Sequence, residues 1–171
     1  MNLLKNLIIS NFLSFLSGSL FGQQIADSTF HYANKNPVYK NRQGTVITLD
    51  EVHFNYHTLS GRYYTFGRLL EQDGYTLKAG RSAFTSAYLS TIKILVIANA
   101  LPDTSDWKLP TKSAFTASEI TDLHKWVMSG GNLFLIADHM PFPGAYSQLA
   151  LAFGFNFVNS YALRKDKKPE I

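Results

Sequence analysis

The chain has 171 residues, enough for one domain with a substantial hydrophobic core, and carries a formal net charge of +4. It has no cysteine, which excludes disulfides, a lipid-modified amino-terminal cysteine, a thiolate nucleophile and zinc–thiolate sites. Lys5, with one positive charge, and the tail Arg164 to Ile171, with a net charge of +2, supply three of the four net positive charges. The remaining body is nearly neutral, which argues against a nucleic-acid-binding surface.

Residues 1–22 have the pattern of a secretory signal. Lys5 precedes an apolar stretch from Leu7 to Phe21, with small residues near its end. The alternative, an uncleaved membrane anchor, needs a run of about 20 apolar residues, whereas Asn11 and several serines interrupt this stretch. We therefore expect a cleaved signal peptide, a periplasmic or secreted mature protein, and no membrane contact after cleavage.

The mature chain is expected to have three parts. Residues 23–43 are polar and show no period, which indicates an extended lead-in. An α/β domain is predicted over residues 44–161, followed by a charged tail over 162–171. Thr45 to Asp50 is β-branched and apolar, which predicts the first strand. It opens into a loop rich in side chains that can do chemistry, Glu51 to Gly61.

Helices and strands alternate after that loop, as helical spacing, helix-stopping glycines and short apolar runs indicate. In chain order the predicted elements are a helix over 62–73, a strand over 75–79, a short helix or turn over 84–91, a strand over 93–98, a helix that begins with a capping box at Thr116 and Glu119, a central strand within 130–139, a helix over 145–153 and a fifth strand over 155–158. This alternation predicts a three-layer α/β sandwich with a mostly parallel, flavodoxin-like sheet in the order 2-1-3-4-5.

Polar side chains follow three strands of the predicted sheet. In a sheet buried on both faces, the first polar residues mark the point where a strand leaves the core, and after the fourth strand these are Asp138 and His139. The first strand ends the same way, in the run Asp50 to His53, and Asn99 follows the third strand. Because parallel strands end at a common edge, we expect one crevice there, near the switch point between strands one and three.

Two kinds of chemistry fit these side chains. A divalent metal is one, with imidazole and carboxylate ligands from His53, His57, Asp138 and His139. Acid–base catalysis without a metal is the other, with His139 shuttling a proton and a carboxylate orienting it. In that interpretation the catalytic residues are Glu51, His53, Asp138 and His139, and the ligand-binding residues are Asp50, Asn55 and Asn99.

Structural roles compete with both interpretations. Asp50 could cap backbone amides at the strand end while His57 faces water. Adjacent residues of a strand point to opposite faces, so Asp138 and His139 can cooperate only with a bend at Pro141 or in a loop conformation. His124 lies on the inward face of a helix and is most simply a core histidine. The aromatic residues Trp107, Tyr56 and Tyr146 could stack on a sugar ring, but most aromatics of this chain must be packing residues.

Four stretches resemble uncharacterised exported members of the class I glutamine amidotransferase-like superfamily, the ThuA-type and related domains of unknown function. They are Leu49–Asn55, Ala98–Ala100, the segment from Glu119 through Trp126 to Gly131, and Ala137–Pro141. The resemblance covers about Thr45 to Tyr161, and its most specific pieces are the Asp-Glu-x-His-x-Asn and Asp-His-x-Pro runs. It implies an amidotransferase-like α/β fold.

The same resemblance does not imply glutaminase activity. True glutamine amidotransferases place a cysteine on a sharp strand-to-helix elbow, and relatives place a serine there, whereas here the third strand leads into Asn99-Ala100-Leu101-Pro102. Relatives also continue past the position of Tyr161, which predicts that this chain is a truncated form of a longer protein.

The sequence thus predicts an exported domain that binds a small polar ligand, such as a carbohydrate, and hydrolyses it without a cysteine nucleophile. The competing hypothesis is a non-catalytic ligand-binding or scaffold module of the same fold, or an inactive fragment. Side chains that converge within hydrogen-bonding or metal-ligand reach favour the enzyme, and clusters that face apart favour the binding module.

Overall fold

The computed structural model of the protein describes residues 25–104 and 107–162. The predicted signal peptide and all but the first residue of the predicted charged tail lie outside the described residues. None of the helices within the described ranges combines the length and the apolar character needed to cross a membrane.

Helices and strands alternate along the described chain as the sequence predicts. In chain order they are β1 (Val46–Asp50), α1 (Tyr64–Gln72), β2 (Thr76–Gly80), α2 (Ser86–Leu89), β3 (Ile94–Ala98), α3 (Ala117–Met128), β4 (Asn132–Ile136) and α4 (Phe142–Ala152). The lead-in contains a 3-10 turn, Lys40–Arg42, and a turn at residues 28–29.

The strands form a parallel sheet in the order β2-β1-β3-β4, which confirms the predicted α/β fold. Ile47, Leu49 and Val96 point to the face covered by α1. Leu95 and Ile97 point to the opposite face and pack with residues of α2, α3 and α4. The sheet therefore lies between two helical layers, and the two rows of apolar side chains are buried because β1 and β3 are central strands.

The prediction of a fifth strand is wrong for the described residues, because the segment 155–158 forms no hydrogen-bonded strand pairing with β4. The end of this segment is attached elsewhere by polar groups. The Asn159 side-chain carbonyl accepts a hydrogen bond from the Gly144 N–H, and the Ser160 carbonyl accepts one from the Met140 N–H. These bonds attach the segment to the start of α4 and to the loop after β4, so β4 is an edge strand within the described residues.

Two local features position the site. The predicted capping box is present: the Thr116 hydroxyl accepts from the Glu119 N–H, and the Glu119 carboxylate accepts from the Thr116 N–H. The last helix begins at Phe142 rather than at the predicted Ala145, because Pro143 is tolerated in a first helical turn, where its missing N–H costs nothing. This earlier start brings Phe142 directly beneath the loop that follows β4.

Candidate functional site

The side chains predicted to form a site lie at one edge of the sheet. The register pairs Leu49 with Val96 and Ala98 with Ile136, so β1, β3 and β4 end side by side at their carboxyl ends. Two clusters of polar side chains form there. One is buried and centres on His53, and the other is partly exposed and connects His57, Asn99, Asp138 and His139, a group that we call the rim.

The buried cluster places His53 between two carboxylates. Its Nδ1 lies 2.9 Å from Oδ2 and 3.1 Å from Oδ1 of Asp50, and its Nε2 lies 2.9 Å from Oε1 of Glu119. Asp50 is fully buried, while His53 and Glu119 are each 8% exposed. The imidazole packs against the rings of Phe84 and Phe115, with centroids 4.4 and 5.1 Å away.

Glu119 holds this cluster to the rest of the fold. Its Oε2 accepts hydrogen bonds from the backbone N–H and the hydroxyl of Thr116 at the start of α3. Its Oε1 accepts from the Phe84 N–H at 3.2 Å as well as from His53. One carboxylate thus ties the end of β1, the segment before α2 and the first turn of α3 together.

Each ring nitrogen of His53 faces a carboxylate, and when both carboxylates are ionised both nitrogens carry a proton, because an ionised carboxylate can only accept a hydrogen bond. Burial by itself lowers the pKa of His53, but the hydrogen bonds and charges of Asp50 and then Glu119 outweigh it, and the pKa is raised. Burial likewise opposes ionisation of Glu119, yet the bonds from Thr116 and His53 lower its pKa to about 2. The geometry therefore leaves His53 without a free lone pair for a substrate proton or a metal.

Asn99 is the centre of the rim. It is fully buried and has a φ of 50°, a left-handed conformation that asparagine tolerates better than most residues. Its carbonyl accepts from the Tyr56 N–H at 2.9 Å, and its side-chain Oδ1 accepts from the Asp138 N–H at 3.2 Å. Its Nδ2 lies 3.0 Å from Nε2 of His57. One side chain therefore connects the loops after β1 and β4.

These bonds fix the tautomer of His57. Because Oδ1 of Asn99 accepts from a backbone N–H, Nδ2 is the amide donor and Nε2 of His57 is the acceptor, which places the imidazole proton on Nδ1. The ring stacks on Tyr63 with centroids 4.4 Å apart. Burial lowers the pKa of His57, the Asp138 charge raises it and the Arg62 charge lowers it, with a net decrease. His57 is thus a half-buried imidazole whose Nδ1 N–H is itself buried and without a hydrogen-bond partner.

Replacing Asn99 by Asp is expected to raise the pKa of His57. The new carboxylate keeps an acceptor for the Asp138 N–H but presents a second oxygen to Nε2 of His57, which favours a proton there. Nitrogen-detected NMR of the imidazole measures both the pKa and the tautomer. The substitution Asp122→Asn, on the surface of α3, provides the control, and an unchanged His57 titration in the Asn99→Asp variant contradicts the assigned bond.

Asp138 and His139 form an ordered pair at the exposed side of the rim. Because β4 ends at Ile136, both residues lie in a loop, and Nδ1 of His139 is 2.6 Å from Oδ1 of Asp138. Burial raises the pKa of Asp138, but hydrogen bonds from His139 and Asn99 outweigh it and the pKa is lowered. In the neutral imidazole the carboxylate holds the proton on Nδ1, which leaves the lone pair on Nε2, and the side chain of His139 is 41% exposed.

The other residues singled out from the sequence differ in burial and in hydrogen bonding. Glu51 accepts from the Leu59 N–H at 2.8 Å and lies 3.5 Å from Arg81, so it orders the loop after β1. Asn55 has both side-chain polar atoms buried without a hydrogen-bond partner. His124 is half-buried against the Phe153 ring, in agreement with a packing role.

The predicted metal ligands do not share a metal-binding geometry. His53 has both nitrogens bound to carboxylates, and the lone pair of His57 accepts from Asn99. Across residues 25–104 and 107–162, no three histidine or acidic side chains are arranged to hold a metal ion. The donor set present at the rim therefore does not fit a divalent metal.

Aromatic side chains line the rim. The Tyr56 ring contacts Trp107 and Phe142, with centroids 6.3 and 5.8 Å away, and His139 lies 5.7 Å from Phe142 and 4.9 Å from Tyr161. Trp107, Tyr161 and Tyr56 are 46%, 46% and 37% exposed. We call the three exposed rings, Tyr56, Trp107 and Tyr161, the aromatic wall; Phe142 is fully buried and packs behind it. Tyr146 is fully buried, as Phe142 is, and its hydroxyl accepts a hydrogen bond from the Ala100 N–H.

The fold and the rim define an α/β protein with a parallel sheet and a histidine–aspartate pair at its carboxyl edge. No protein-family model matches the sequence, and no curated protein matches it either. The amidotransferase-like resemblance therefore stays a prediction from the motifs that carry it. At the elbow after β3, where that resemblance expects a nucleophile, Asn99 presents a carboxamide whose two polar atoms are already hydrogen-bonded.

Proposed function

We propose that the protein is an exported hydrolase that binds a small, carbohydrate-like ligand at the rim and removes an acyl ester from it. The observation that carries the proposal is the Asp138–His139 pair, which leaves Nε2 of His139 as an oriented base beside the aromatic wall. Exposed aromatic rings next to polar groups suit sugars, because a sugar ring offers both a C–H face and hydroxyls.

The mechanism needs no cysteine. His139 Nε2 takes a proton from a water molecule as its oxygen attacks the ester carbonyl carbon, and Asp138 stabilises the resulting imidazolium. The tetrahedral intermediate then collapses, and the bond between the acyl carbon and the sugar oxygen breaks. His139 returns the proton to the departing sugar oxygen. The products are a carboxylic acid and the free sugar hydroxyl.

Replacing His139 by Gln is expected to lower kcat for acetate release from a per-O-acetylated monosaccharide by about 100-fold or more, since general-base catalysis contributes about 100- to 10,000-fold. Asp138→Asn is expected to lower kcat less, because the base survives but loses its orientation. The matched control is His31→Gln, which removes an exposed histidine of the lead-in. Activity that is retained by His139→Gln contradicts the mechanism.

The occupied elbow at Asn99 favours one alternative, a binding module without turnover, because no nucleophile stands where related folds carry one. In that case the wild-type protein binds the deacetylated sugar, detected by calorimetry, and releases no acetate. The enzyme hypothesis requires both binding and release.

A further inference from the structure

Three polar groups without hydrogen-bond partners are buried in the segment between β1 and α1. They are both amide atoms of Asn55, Nδ1 of His57 and Nε of Arg62. Buried polar atoms are nearly always hydrogen-bonded, because an unmade bond costs about 1–3 kcal/mol. Three such groups within eight residues of chain leave hydrogen-bonding capacity here that the packed protein does not use.

Most of these atoms are donors. The bond from Asn99 places the proton of His57 on Nδ1, so that nitrogen offers an N–H. Nε of Arg62 always carries a hydrogen, and Asn55 adds an NH₂ group beside a single acceptor oxygen. A ligand group that satisfies this set must be rich in acceptors.

Arg62 also brings a positive charge, and it forms no ion pair with a carboxylate among residues 25–104 and 107–162. Within the described residues Arg42, Arg68 and Arg81 each lie near a carboxylate, of Glu71 or Glu51, but Arg62 has no such partner. Its guanidinium lies 3.8 Å from the centroid of the Tyr56 ring. A cation–π contact of this kind orients the guanidinium and leaves its charge available to an anion.

Arg62 lies between the aromatic wall and a surface cavity. Tyr56, against which it stacks, belongs to the wall. On another side Arg62 borders a cavity of about 520 Å³ whose other lining residues are uncharged and include Ser28 and Ser60. A cavity of this size accommodates a monosaccharide-sized ligand, and Arg62 is the charged group at its junction with the wall.

We infer that Arg62 and His57 bind an anionic group, a carboxylate or a phosphate, on the sugar-like ligand whose ring stacks on the aromatic wall. This inference rests on the proposed function for the ligand class and adds the charge that the ligand carries. Arg62 forms the ion pair and His57 donates from Nδ1, while Asn55 supplies a further N–H from the same segment.

Calorimetric titration of the wild-type protein with glucuronate, glucose 6-phosphate and glucose tests the charge preference. We expect at least one charged sugar to bind 10-fold or more tightly than glucose, and the better of the two identifies carboxylate or phosphate as the preferred group. Arg62→Gln is expected to reduce that affinity to the level of glucose. Arg68→Gln, which removes a surface arginine paired with Glu71, is the matched control and is expected to change nothing.

Arg62→Lys provides a second measurement if the glutamine variant folds poorly. It keeps the charge without the guanidinium fork, so charged sugars should bind with intermediate affinity that weakens as salt is added. The inference is overturned if glucose and both charged sugars bind with equal affinity, or if the Arg62 variants bind as wild type does. In either case, acetate release by the wild-type protein still supports the proposed function. Absence of binding by all three sugars together with absence of acetate release overturns both.

Discussion

Replacing His53 by Ala is expected to lower the free energy of unfolding by about 3–5 kcal/mol, the usual cost of removing one partner from a buried ion pair. The change removes the imidazolium that separates Asp50 and Glu119 and leaves two buried carboxylates without their shared donor. It also opens a cavity against Phe84 and Phe115. Urea denaturation at pH 6, followed by circular dichroism, measures the difference.

His31→Ala is the control for the loss of a histidine, because that side chain is exposed in the lead-in and its removal should change stability by no more than about 0.5 kcal/mol. The buried position of His53 also predicts that its substitution affects stability rather than catalysis directly. Substitution of a catalytic base lowers activity without lowering the free energy of unfolding, whereas substitution of His53 is expected to lower the free energy of unfolding. A His53→Ala variant as stable as the His31→Ala control refutes the assignment of His53 as the link between β1 and α3.

The fold could be predicted from the sequence because its signals are local. The strands β1 and β3 are short apolar runs, Gly74 ends α1 with a φ of 91°, and Thr116 with Glu119 defines the start of α3. The prediction of a fifth strand was wrong because its only signal was composition. The apolar run Phe155–Val158 has strand composition, but composition does not specify a pairing partner, and Asn159 attaches the chain elsewhere.

The edge of the site could be predicted as well, because parallel strands deliver the residues that follow them to one end of the sheet. The hydrogen-bond partners of the site residues could not be predicted from the sequence. His53 bonds to Glu119, 66 positions away, and His57 to Asn99, 42 positions away. The capping box identified Glu119 as a helix residue but gave no sign that its other oxygen binds an imidazole. Arg62 was missed because a single arginine at a helix start carries no local signal.

Stability is expected to be highest between about pH 4.5 and 6.5 and to fall on both sides, because the pKa values of the buried cluster move apart on folding. The pKa of His53 is raised above 6.5, so its contribution is complete below that value and is lost as the pH rises through the folded-state pKa. The pKa of Glu119 falls from 4.5 to about 2, so its contribution is present above pH 4.5 and is lost as the pH falls towards 2.

The alkaline decline distinguishes His53 from its neighbours. The pKa of His57 is lowered, so His57 favours folding more as the pH rises towards 6.5 and cannot cause a loss above it. His53→Gln removes the titrating group and keeps a donor, so the variant should be less stable at pH 6 but show a flatter curve from pH 6.5 to 9. Urea midpoints at half-unit pH steps measure both curves. Parallel alkaline slopes in the two proteins would contradict this assignment, because the stability lost above pH 6.5 would then not come from the proton held between Asp50 and Glu119.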